Sequence, residues 1–420
     1  MAIPSLNIGG GKWATKKDKL LAYKQNIGGR YFAINGDTSR NSTATFINQN
    51  GLIESVGNNV ARVDFQENIE GVLKLEPQST NLTLWSQDFS QSYWSKLGAT
   101  VVSGQDSPSL DSPLGAFKLT ENSANSSHRV QSNFTSVDST DYTLSVFAKK
   151  SERNYISLQI NPKSNAYIST IFNLDNGTIV GQSAGSSAPI SSKIKYIENG
   201  FYKCEITVNI STGAGTTNVR VFVSDNPTNI TYQGDGTSGV YIYGAQLEAL
   251  PYATSYIPTS SSSVTRVQDV ATDFGDVNTF NSEEGTLFVE CSGFTDSAAR
   301  LISLSDGTNT NRMYIGYSST FITAVVVVGG GLSYVYNFVS SGVSDTVKIA
   351  LKYKENDFTL YVNGVKKNFQ LSGSIYPINI LNRLSFDSGA GASNFYGETK
   401  QLQVYKEALT DAELITLTTI

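Results

Sequence analysis

The sequence predicts an all-β protein: two β-sandwich (jelly-roll) domains in tandem after an irregular N-terminal segment, with one short C-terminal helix. Charged residues make up only 16% of the 420 residues, whereas aromatic residues make up 11% and glycines number 36. Stretches in which apolar and polar residues alternate recur along the chain, separated by turns rich in Gly and Asn. Many short strands need such turns and polar outer faces, and the aromatic content is too high for a disordered chain.

Residues 1–75 form a Gly-rich opening with few periodic runs. Within it, TATFINQNGLIESV (Thr43–Val56) predicts two short strands around the turn Gln49-Asn50-Gly51. Because so short a region cannot bury a large core alone, we expect residues 1–75 to be an extended docking or attachment segment.

Residues 76–265 are predicted to form the first sandwich. The stretches YTLSVFAKK, FYKCEITVNI, NVRVFVS and GVYIYGAQLE alternate apolar and polar residues, and Asn-Gly and Gly-Asp-Gly turns lie between such runs. This spacing suits a two-sheet jelly roll. The serine-rich stretch PTSSSSVTR (Pro258–Arg266) is the predicted domain boundary.

Residues 276–420 are predicted to form the second sandwich, with about nine strands. In DFTLYVNGVKKNF (Asp357–Phe369), alternating residues lead into Asn363-Gly364, a pair that tolerates the positive φ of a tight hairpin turn. The helix comes last, in LTDAEL, where Thr410 and Glu413 have the spacing of a capping box.

Charge and cysteine content exclude several classes of function. The net charge is −5 with no large basic cluster, which argues against a nucleic-acid-binding protein. The two cysteines, Cys204 and Cys291, lie in strand-like contexts of different domains and are predicted to be buried free thiols. The longest apolar run, Phe321–Val328, is too short to span a bilayer, so no membrane insertion is expected. The chain begins without a leader-like segment, and we expect a soluble protein made in the cytoplasm.

Few side chains could support catalysis, and we expect no enzymatic activity. His128, the only histidine, lies in a polar stretch and is expected at the surface or at a sheet edge. A glycosidase needs two converging acids, but Glu283 and Glu284 would point to opposite faces of a strand. Three further acids stay open as members of such a pair: Glu205, Asp306 and Asp387.

No cofactor is predicted. The loops SDGTNTNR (Ser305–Arg312) and DNGTIVG offer oxygen ligands of the kind that calcium prefers, but neither has the spacing of an EF-hand loop. We therefore interpret both as ordinary turns.

Glycan binding would use exposed aromatic rings and side-chain amides or guanidinium groups. The candidates are three loop residues and two strand tyrosines: Asn309, Asn311, Arg312, Tyr334 and Tyr336. The tyrosines share one face of LSYVYNF with Phe338, which also fits a core-facing stripe. The run Val325–Val328 would place apolar groups on both faces of its strand, so it is either covered on both sides or lies at a subunit contact.

Two resemblances give these domains an expected role. FTLYVNGV followed by LQVYKEALTDAEL resembles the laminin G-like and concanavalin A-like sandwich family. The first two-thirds resembles bacteriophage tail and fibre-associated structural proteins, and the stretches that carry this are, in order, MAIPSLN, STATFINQNGLIESV, ARVDF, LKLEPQSTNLTLWSQDFS, FYKCEITV, YIYGAQLEALPYATSYIPT and TRVQDV.

The resemblances imply a non-enzymatic virion protein, such as a fibre, spike or receptor-binding component. Residues 1–75 would dock onto other virion proteins, and a carbohydrate-binding-module-like jelly roll and a lectin-like sandwich would present surfaces to host-cell glycans. Fibre-type relatives imply a homotrimer. Two alternatives stay open, a purely architectural capsid or tail decoration and a polysaccharide depolymerase; the missing leader disfavours a secreted bacterial lectin.

Overall fold

The computed structural model describes residues 2–16, 19–25, 31–162, 167–183, 186–211, 215–294, 300–317, 321–339 and 346–420. Across these ranges the protein is all-β, with 35 strands, one short 3-10 helix and one α-helix at the C-terminus. Within the same ranges, no helix combines the length and hydrophobicity that crossing a membrane requires. Both cysteines are buried, as predicted.

The strands are short and follow one another closely along the chain. The first group is β1 (Leu6–Gly9), β2 (Ala14–Lys16), β3 (Lys19–Gln25), β4 (Tyr31–Ile34), β5 (Asp37–Ser39), β6 (Ala44–Ile47), β7 (Ile53–Val56), β8 (Arg62–Asp64) and β9 (Val72–Leu75). The second group is β10 (Ser79–Asn81), β11 (Ser95–Leu97), β12 (Ala99–Gln105), β13 (Ala116–Glu121), β14 (Asn125–Ser136), β15 (Thr140–Lys150), β16 (Tyr155–Asn161), β17 (Ile168–Asn173), β18 (Thr178–Gly181), β19 (Ser191–Tyr196), β20 (Tyr202–Ile210), β21 (Gly215–Ser224), β22 (Thr231–Gln233), β23 (Gly239–Glu248) and β24 (Val264–Arg266), with the 3-10 helix at Glu198–Gly200. The third group is β25 (Val270–Thr272), β26 (Glu284–Gly293), β27 (Arg300–Ser305), β28 (Arg312–Tyr317), β29 (Phe321–Val328), β30 (Gly331–Val339), β31 (Val347–Lys354), β32 (Phe358–Val362), β33 (Val365–Gln370), β34 (Arg383–Ser385), β35 (Gly397–Tyr405) and helix α1 (Asp411–Thr418).

These elements form two compact units that differ from the expected tandem bounds. Unit 1 comprises Met1–Ser42, Gly57–Pro77 and Val267–Ile420, and unit 2 comprises Thr43–Val56 and Gln78–Arg266. In sequence, therefore, unit 2 interrupts unit 1 twice.

Unit 1 is a sandwich of an 11-stranded and a 5-stranded sheet. The main path of the larger sheet is β2-β3-β1-β35-β26-β31-β32-β33, and the smaller sheet has the order β30-β29-β28-β27-β34. Residues from both sheets share one core, for example Leu287 and Leu351 from the larger sheet and Ile302 and Met313 from the smaller. Helix α1 packs on the other face of the larger sheet, where Leu414 joins Phe288 in a second buried cluster.

The first 75 residues are not a separate segment, because much of this stretch belongs to the sandwich of unit 1. Strands β1 and β9 pair with successive parts of β35, with Leu6 opposite Val404 and Leu75 opposite Gly397. Leu6, Ile8 and Leu73 lie fully buried in the unit 1 core. Four-residue strands carry too little periodicity to reveal a partner some 400 residues away, which is why the sequence alone indicated an irregular opening.

Unit 2 is a sandwich of a seven-stranded and a six-stranded sheet. The seven-stranded sheet has the path β11-β14-β21-β16-β17-β18, and β22 also pairs with β14; the six-stranded sheet is ordered β12-β13-β23-β15-β20-β19. A single core lies between them, including Trp94, Val146, Leu158 and Val221.

Three local predictions are confirmed. The strands β6 and β7 form the expected hairpin around residues 49–51. Asn363 and Gly364 have φ values of 49° and 75° in the turn between β32 and β33, as a tight hairpin demands. Thr410 and Glu413 complete the predicted capping box of α1.

The valine run of β29 is covered within its own unit. Ala324 and Val326 belong to the unit 1 core, while Val325 and Val327, on the other face, are only 3% and 7% exposed. Val325 lies between Tyr314 and Val335 on the neighbouring strands. The first of the two predicted explanations therefore accounts for this run.

Candidate functional site

The outer face of the seven-stranded sheet in unit 2 is the strongest candidate for a binding surface. Along β14, β21 and β16, every second residue points inward, and inward residues such as Val130, Val221 and Leu158 belong to the core. The outward positions are polar or aromatic, namely Ser127, Arg129, Gln131 and Asn133 on β14, Arg220 and Phe222 on β21, and Ser157 and Gln159 on β16. Regular alternation thus places a polar stripe across three adjacent strands.

The opposite outer face of unit 2, on the six-stranded sheet, is largely covered by the chain itself. Ile47 and Ile53 of the β6–β7 hairpin pack with Phe147 and Tyr243 of that sheet in one buried cluster. The backbone nitrogen of Ile53 donates to the carbonyl oxygen of Pro108 at 2.8 Å, which holds the hairpin in place. Among the residues that the structure describes, no comparable apolar cluster covers the seven-stranded sheet.

Arg129 is held flat on this face by its neighbours. Its Nε donates to Oε1 of Gln131 at 2.9 Å, and its Nη1 donates to Oγ of Ser127. Its guanidinium carbon lies 5.4 Å from the ring centre of Phe222, the residue directly opposite on β21. These two hydrogen bonds and the contact with the Phe222 ring fix the orientation of the guanidinium group.

Arg220 lies diagonally across from Arg129 in the antiparallel ladder. Gln131 is opposite Arg220 on one side and Gln159 is opposite it on the other. Nη1 of Arg220 donates to Oε1 of Gln159 at 3.0 Å, and the guanidinium carbon lies 5.5 Å from the ring centre of Tyr167. Diagonal neighbours in a ladder are about 7–8 Å apart, so two positive side chains share a small area.

Neither arginine has an acidic partner within the described ranges. Burial and the nearby charge of Arg220 lower the pKa of Arg129, and burial lowers the pKa of Arg220. Arg153 of the same unit behaves in the opposite way: its hydrogen bond to the carboxylate of Glu121 raises its pKa. The arginines of the sheet face are therefore positive charges without a local counter-charge.

Several polar atoms around these arginines are buried and make no hydrogen bond among the described residues. They are Nε of Arg220, Oγ of Ser157 and Oδ1 of Asn161. Ser157 is adjacent to Gln159 along the outward positions of β16 and is fully buried. Unsatisfied donors and acceptors of this kind are rare in folded proteins, and buried water is a common partner for them.

The groups on this face are suited to binding an oxygen-rich ligand. Fixed guanidinium, amide and hydroxyl groups can donate to and accept from an oxygen-rich ligand, and the half-exposed ring of Tyr167 can contact its apolar side.

The polar neighbours of His128 in the sequence predicted a position at the surface or at a sheet edge, and this prediction is wrong. His128 is fully buried on the core-facing side of β14, which has strands on both sides. Its ring nitrogens lie 2.6 Å and 3.3 Å from the carbonyl oxygens of Gly98 and Tyr232, a structural role.

The predicted loop candidates lie at one end of the five-stranded sheet of unit 1. Asn309 is exposed, whereas Nδ2 of Asn311 donates to Asp306 at 2.9 Å and Oδ1 of Asn311 accepts from the backbone nitrogen of Gly329 at 2.8 Å. Nη1 of Arg312 donates to the carbonyl oxygen of Ser388 at 2.7 Å. Two of the three side chains thus hold the loop together, so the polar groups that they offer to a ligand are few.

The two tyrosine candidates face the core of unit 1. Tyr334 is 2% exposed and stacks on Phe358, with ring centres 5.7 Å apart. Tyr336 and Phe338 are partly buried against the same core. Tyr334 therefore offers no ring face to a sugar, which corrects its place among the ligand-binding candidates and favours the alternative of a core-facing stripe.

The acids considered for hydrolysis are engaged separately. Glu205 pairs with Lys203 at 2.8 Å in unit 2, and Glu284 pairs with Lys354 at 2.8 Å in unit 1. Asp306 accepts from the backbone nitrogen of Thr308 at 2.8 Å, and burial raises the pKa of Asp387. Among the described residues, no three His, Cys, Asp or Glu side chains come together as a metal site.

The sequence analysis missed the arginine face of unit 2, although a signal for it is present. In SSHRVQSNF the outward positions read Ser, Arg, Gln and Asn, and the outward positions of NVRVFVS and NYISLQIN add Arg, Ser and Gln. None of these positions is acidic. What alternation could not reveal is that β14, β21 and β16 are adjacent in one sheet.

Comparisons with known proteins give only distant likenesses. No family model and no curated protein matches the chain. One similar solved structure is the CBM40 of the Ruminococcus gnavus IT-sialidase bound to α2,3-sialyllactose, with 21% identity over 32% of this chain and 83% of that chain and a TM-score of 0.29. Domain 4 of an extracellular GH43 arabinanase from Geobacillus stearothermophilus with arabinotriose matches with 13% identity over 40% of this chain and 82% of that chain and a TM-score of 0.30. Domains LG4-5 of the mouse laminin α1 chain match with 10% identity over 68% of this chain and 92% of that chain and a TM-score of 0.24. All three identities are below 25% and all three TM-scores are below 0.5. The all-β sandwich architecture accordingly rests on the strand pairing and the cores of this chain.

Proposed function

We propose that this protein is a non-enzymatic, glycan-binding virion component that presents the seven-stranded sheet of unit 2 to a host surface. The observation that carries the binding part is the outer face of that sheet, where Arg129 and Arg220 are fixed in place and have no acidic partner among the described residues. The virion part rests on the resemblance of the first two-thirds of the chain to phage tail and fibre-associated proteins.

The protein would attach to the particle through exposed residues of its first 75 positions. Strand β1 and strand β9 are committed to unit 1, but Ile69 between β8 and β9 is 94% exposed and offers an apolar contact. Assembly as a homotrimer would place several glycan sites on one particle, and avidity would then convert weak individual contacts into firm attachment.

The glycan-binding part is tested with the full chain on an immobilised panel of bacterial surface polysaccharides. We expect binding to part of the panel, and we expect Tyr167→Ala to weaken it about three- to tenfold, as loss of an aromatic contact predicts. Tyr196→Ala is the matched control, because Tyr196 is a similarly exposed tyrosine on the six-stranded sheet. Silence across the panel would favour the architectural alternative, and release of new reducing ends would favour a depolymerase.

The virion part is tested separately by mass spectrometry of purified particles from the source of the sequence. Peptides of this chain should copurify with the particles in a fixed ratio to other particle proteins. Their absence would overturn the virion assignment and would leave the glycan-binding assignment standing.

A further inference from the structure

We infer that the ligand of the unit 2 sheet face carries a carboxylate, bound between the guanidinium groups of Arg129 and Arg220. The inference deepens the proposed function and rests on it, since it assigns the glycan class that the same face would bind. A sugar acid, in which a carboxylate is attached to a sugar ring, is the ligand class.

The first step in the argument concerns charge. Two guanidinium groups occupy diagonal positions on neighbouring strands, and the described ranges supply no Asp or Glu to either of them. Bringing like charges together on a partly buried face costs free energy, because each loses water without gaining a counter-charge. A bound anion would supply that counter-charge.

The second step concerns geometry. Gln131 accepts from Nε and Ser127 accepts from Nη1 of Arg129, and Gln159 accepts from Nη1 of Arg220. Both groups are therefore held in one orientation before any ligand arrives, which lowers the entropic cost of binding. A planar fork of N–H donors matches the two oxygens of a carboxylate.

The third step concerns the rest of the ligand. Tyr167, 41% exposed, lies beside Arg220 and provides an apolar surface for a sugar ring. Gln131 and Asn133, in line with Arg129 on β14, offer amide groups for hydroxyls. A cation is excluded as the ligand by the sign of the charge. A guanidinium group binds phosphate and sulfate as well as carboxylate, so the test includes a sulfated probe that separates these anions.

The test compares carboxylated probes with the same molecules in which the carboxylate is masked. Polygalacturonate and its full methyl ester form one pair, and 3′-sialyllactose and its methyl ester form the other. Sulfated dextran is the arm for anions of a different chemistry. Binding of the full chain is measured by calorimetry or by surface-immobilised glycan at two ionic strengths.

We expect at least one free acid to bind at least tenfold more tightly than its ester, and the preference to shrink as salt rises. Arg129→Gln and Arg220→Gln should each cost about 10- to 100-fold in affinity for the acid, the range for a charge-assisted hydrogen bond. Affinity for the ester should change little. Arg220→Lys keeps the charge but loses the planar array of N–H donors, so its affinity for the acid should lie between that of the native protein and that of Arg220→Gln.

The control for charge alone is Lys193→Gln. Lys193 is an exposed cation on β19, in the six-stranded sheet of the same unit, so its removal alters the net charge equally without touching the arginine face. Thermal unfolding of each variant establishes that the fold is intact.

The outcomes separate the two proposals. Equal affinity for acid and ester in both pairs, a preference for sulfated dextran, or arginine variants that match Lys193→Gln would overturn the carboxylate assignment while glycan binding stands. If the chain binds neither these probes nor any polysaccharide of the panel, both proposals fail together.

Discussion

Replacing Asp269 by Asn should strongly destabilise unit 1, because this carboxylate joins two buried arginines. Oδ1 of Asp269 lies 2.9 Å from Nη1 of Arg40, and Oδ2 contacts Nη2 of Arg62. Arg62 also pairs with Glu76 at 2.6 Å, and the backbone nitrogen of Glu76 donates to Oδ2 of Asp269 at 2.8 Å. The four residues are between 1% and 5% exposed.

The magnitude follows from burial. The negative charges of Asp269 and Glu76 hold the pKa of Arg62 above its ordinary value even though burial acts to lower it. In Asp269→Asn, Arg62 keeps Glu76 and loses the counter-charge of Asp269, and the new amide offers one neutral acceptor oxygen in place of two charged ones. Removing one member of a buried ion pair costs about 3–5 kcal/mol. For a domain of 150–250 residues, this corresponds to a fall of about 6–20 °C in melting temperature.

The assay is urea unfolding followed by pulsed hydrogen exchange and mass spectrometry, read on peptides of β26 in the unit 1 core. Asp357→Asn is the control, since Asp357 forms a partly exposed pair with Lys352 at 2.7 Å and such pairs contribute about 0–1 kcal/mol. If the two variants lose equal stability, the network is not the buried electrostatic anchor that its geometry indicates, and the reasoning fails.

The remaining predictions address caps, pH, buried hydroxyls and domain bounds. Thr410→Ala should cost unit 1 about 1 kcal/mol in unfolding free energy, because the capping box of α1 is lost; no change would mean that packing alone fixes the helix. Glu121 should stabilise unit 2 at pH 7 and cease to do so in acid. Burial acts to raise the pKa of Glu121, but hydrogen bonds, led by the one from Arg153, lower this pKa overall below its ordinary value of 4.5. The contribution of Glu121 to stability is therefore complete above pH 4.5 and is lost as the pH falls through the pKa of the folded state. Glu121→Gln should therefore flatten the acid limb of the stability–pH curve, and an unchanged limb would refute this. Tyr334→Phe should leave the unfolding free energy equal or raise it, because the hydroxyl is buried without a hydrogen-bond partner in the described ranges. Tyr353→Phe should lower the unfolding free energy by about 1 kcal/mol, because it loses a 2.7 Å hydrogen bond to a carbonyl oxygen. A greater loss of stability in Tyr334→Phe than in Tyr353→Phe would contradict the geometry. A fragment of residues 276–420 should give no cooperative unfolding transition, because it lacks β1 and β9, and burial of each of their leucines and isoleucines contributes about 1.5–3 kcal/mol.

Local elements could be predicted from the sequence because each depends on neighbours in the chain. The Asn363-Gly364 turn, the hairpin of Thr43–Val56 and the capping box at Thr410 are specified within a dozen residues or fewer. Alternation likewise identified most of the long strands. The predicted fold class is confirmed for the same reason, since it depends on the number of such elements and not on their order in the sheets.

Sheet order is what the sequence could not reveal, and the bounds of the units depend on it. Serine-rich composition at Pro258–Arg266 pointed to a single linear boundary. The structure instead closes unit 1 through pairs such as Leu6 with Val404, whose formation depends on a complementary strand edge and not on any local pattern. The sequence analysis therefore placed boundaries close to two of the four crossings of the chain between the units, those after Pro77 and after Arg266, and gave no sign of the crossings after Ser42 and Val56.

The same limit explains why the sequence analysis placed its binding candidates in unit 1 and did not name the arginine face of unit 2. A tyrosine on an alternating strand faces either the core or solvent, and the pattern of LSYVYNF is the same in both cases. Which face is buried depends on the sheet that packs against the strand. In unit 1 this packing buries Tyr334 against Phe358. An arginine on such a strand is less ambiguous, because the cost of burying an unpaired guanidinium excludes the core-facing position. Arg129 and Arg220 were therefore assignable to the outer face from sequence, but their proximity was not, because 90 residues separate them in the chain. A surface built from long-range neighbours becomes visible as a site only when the ladder joining β14 to β21 is known.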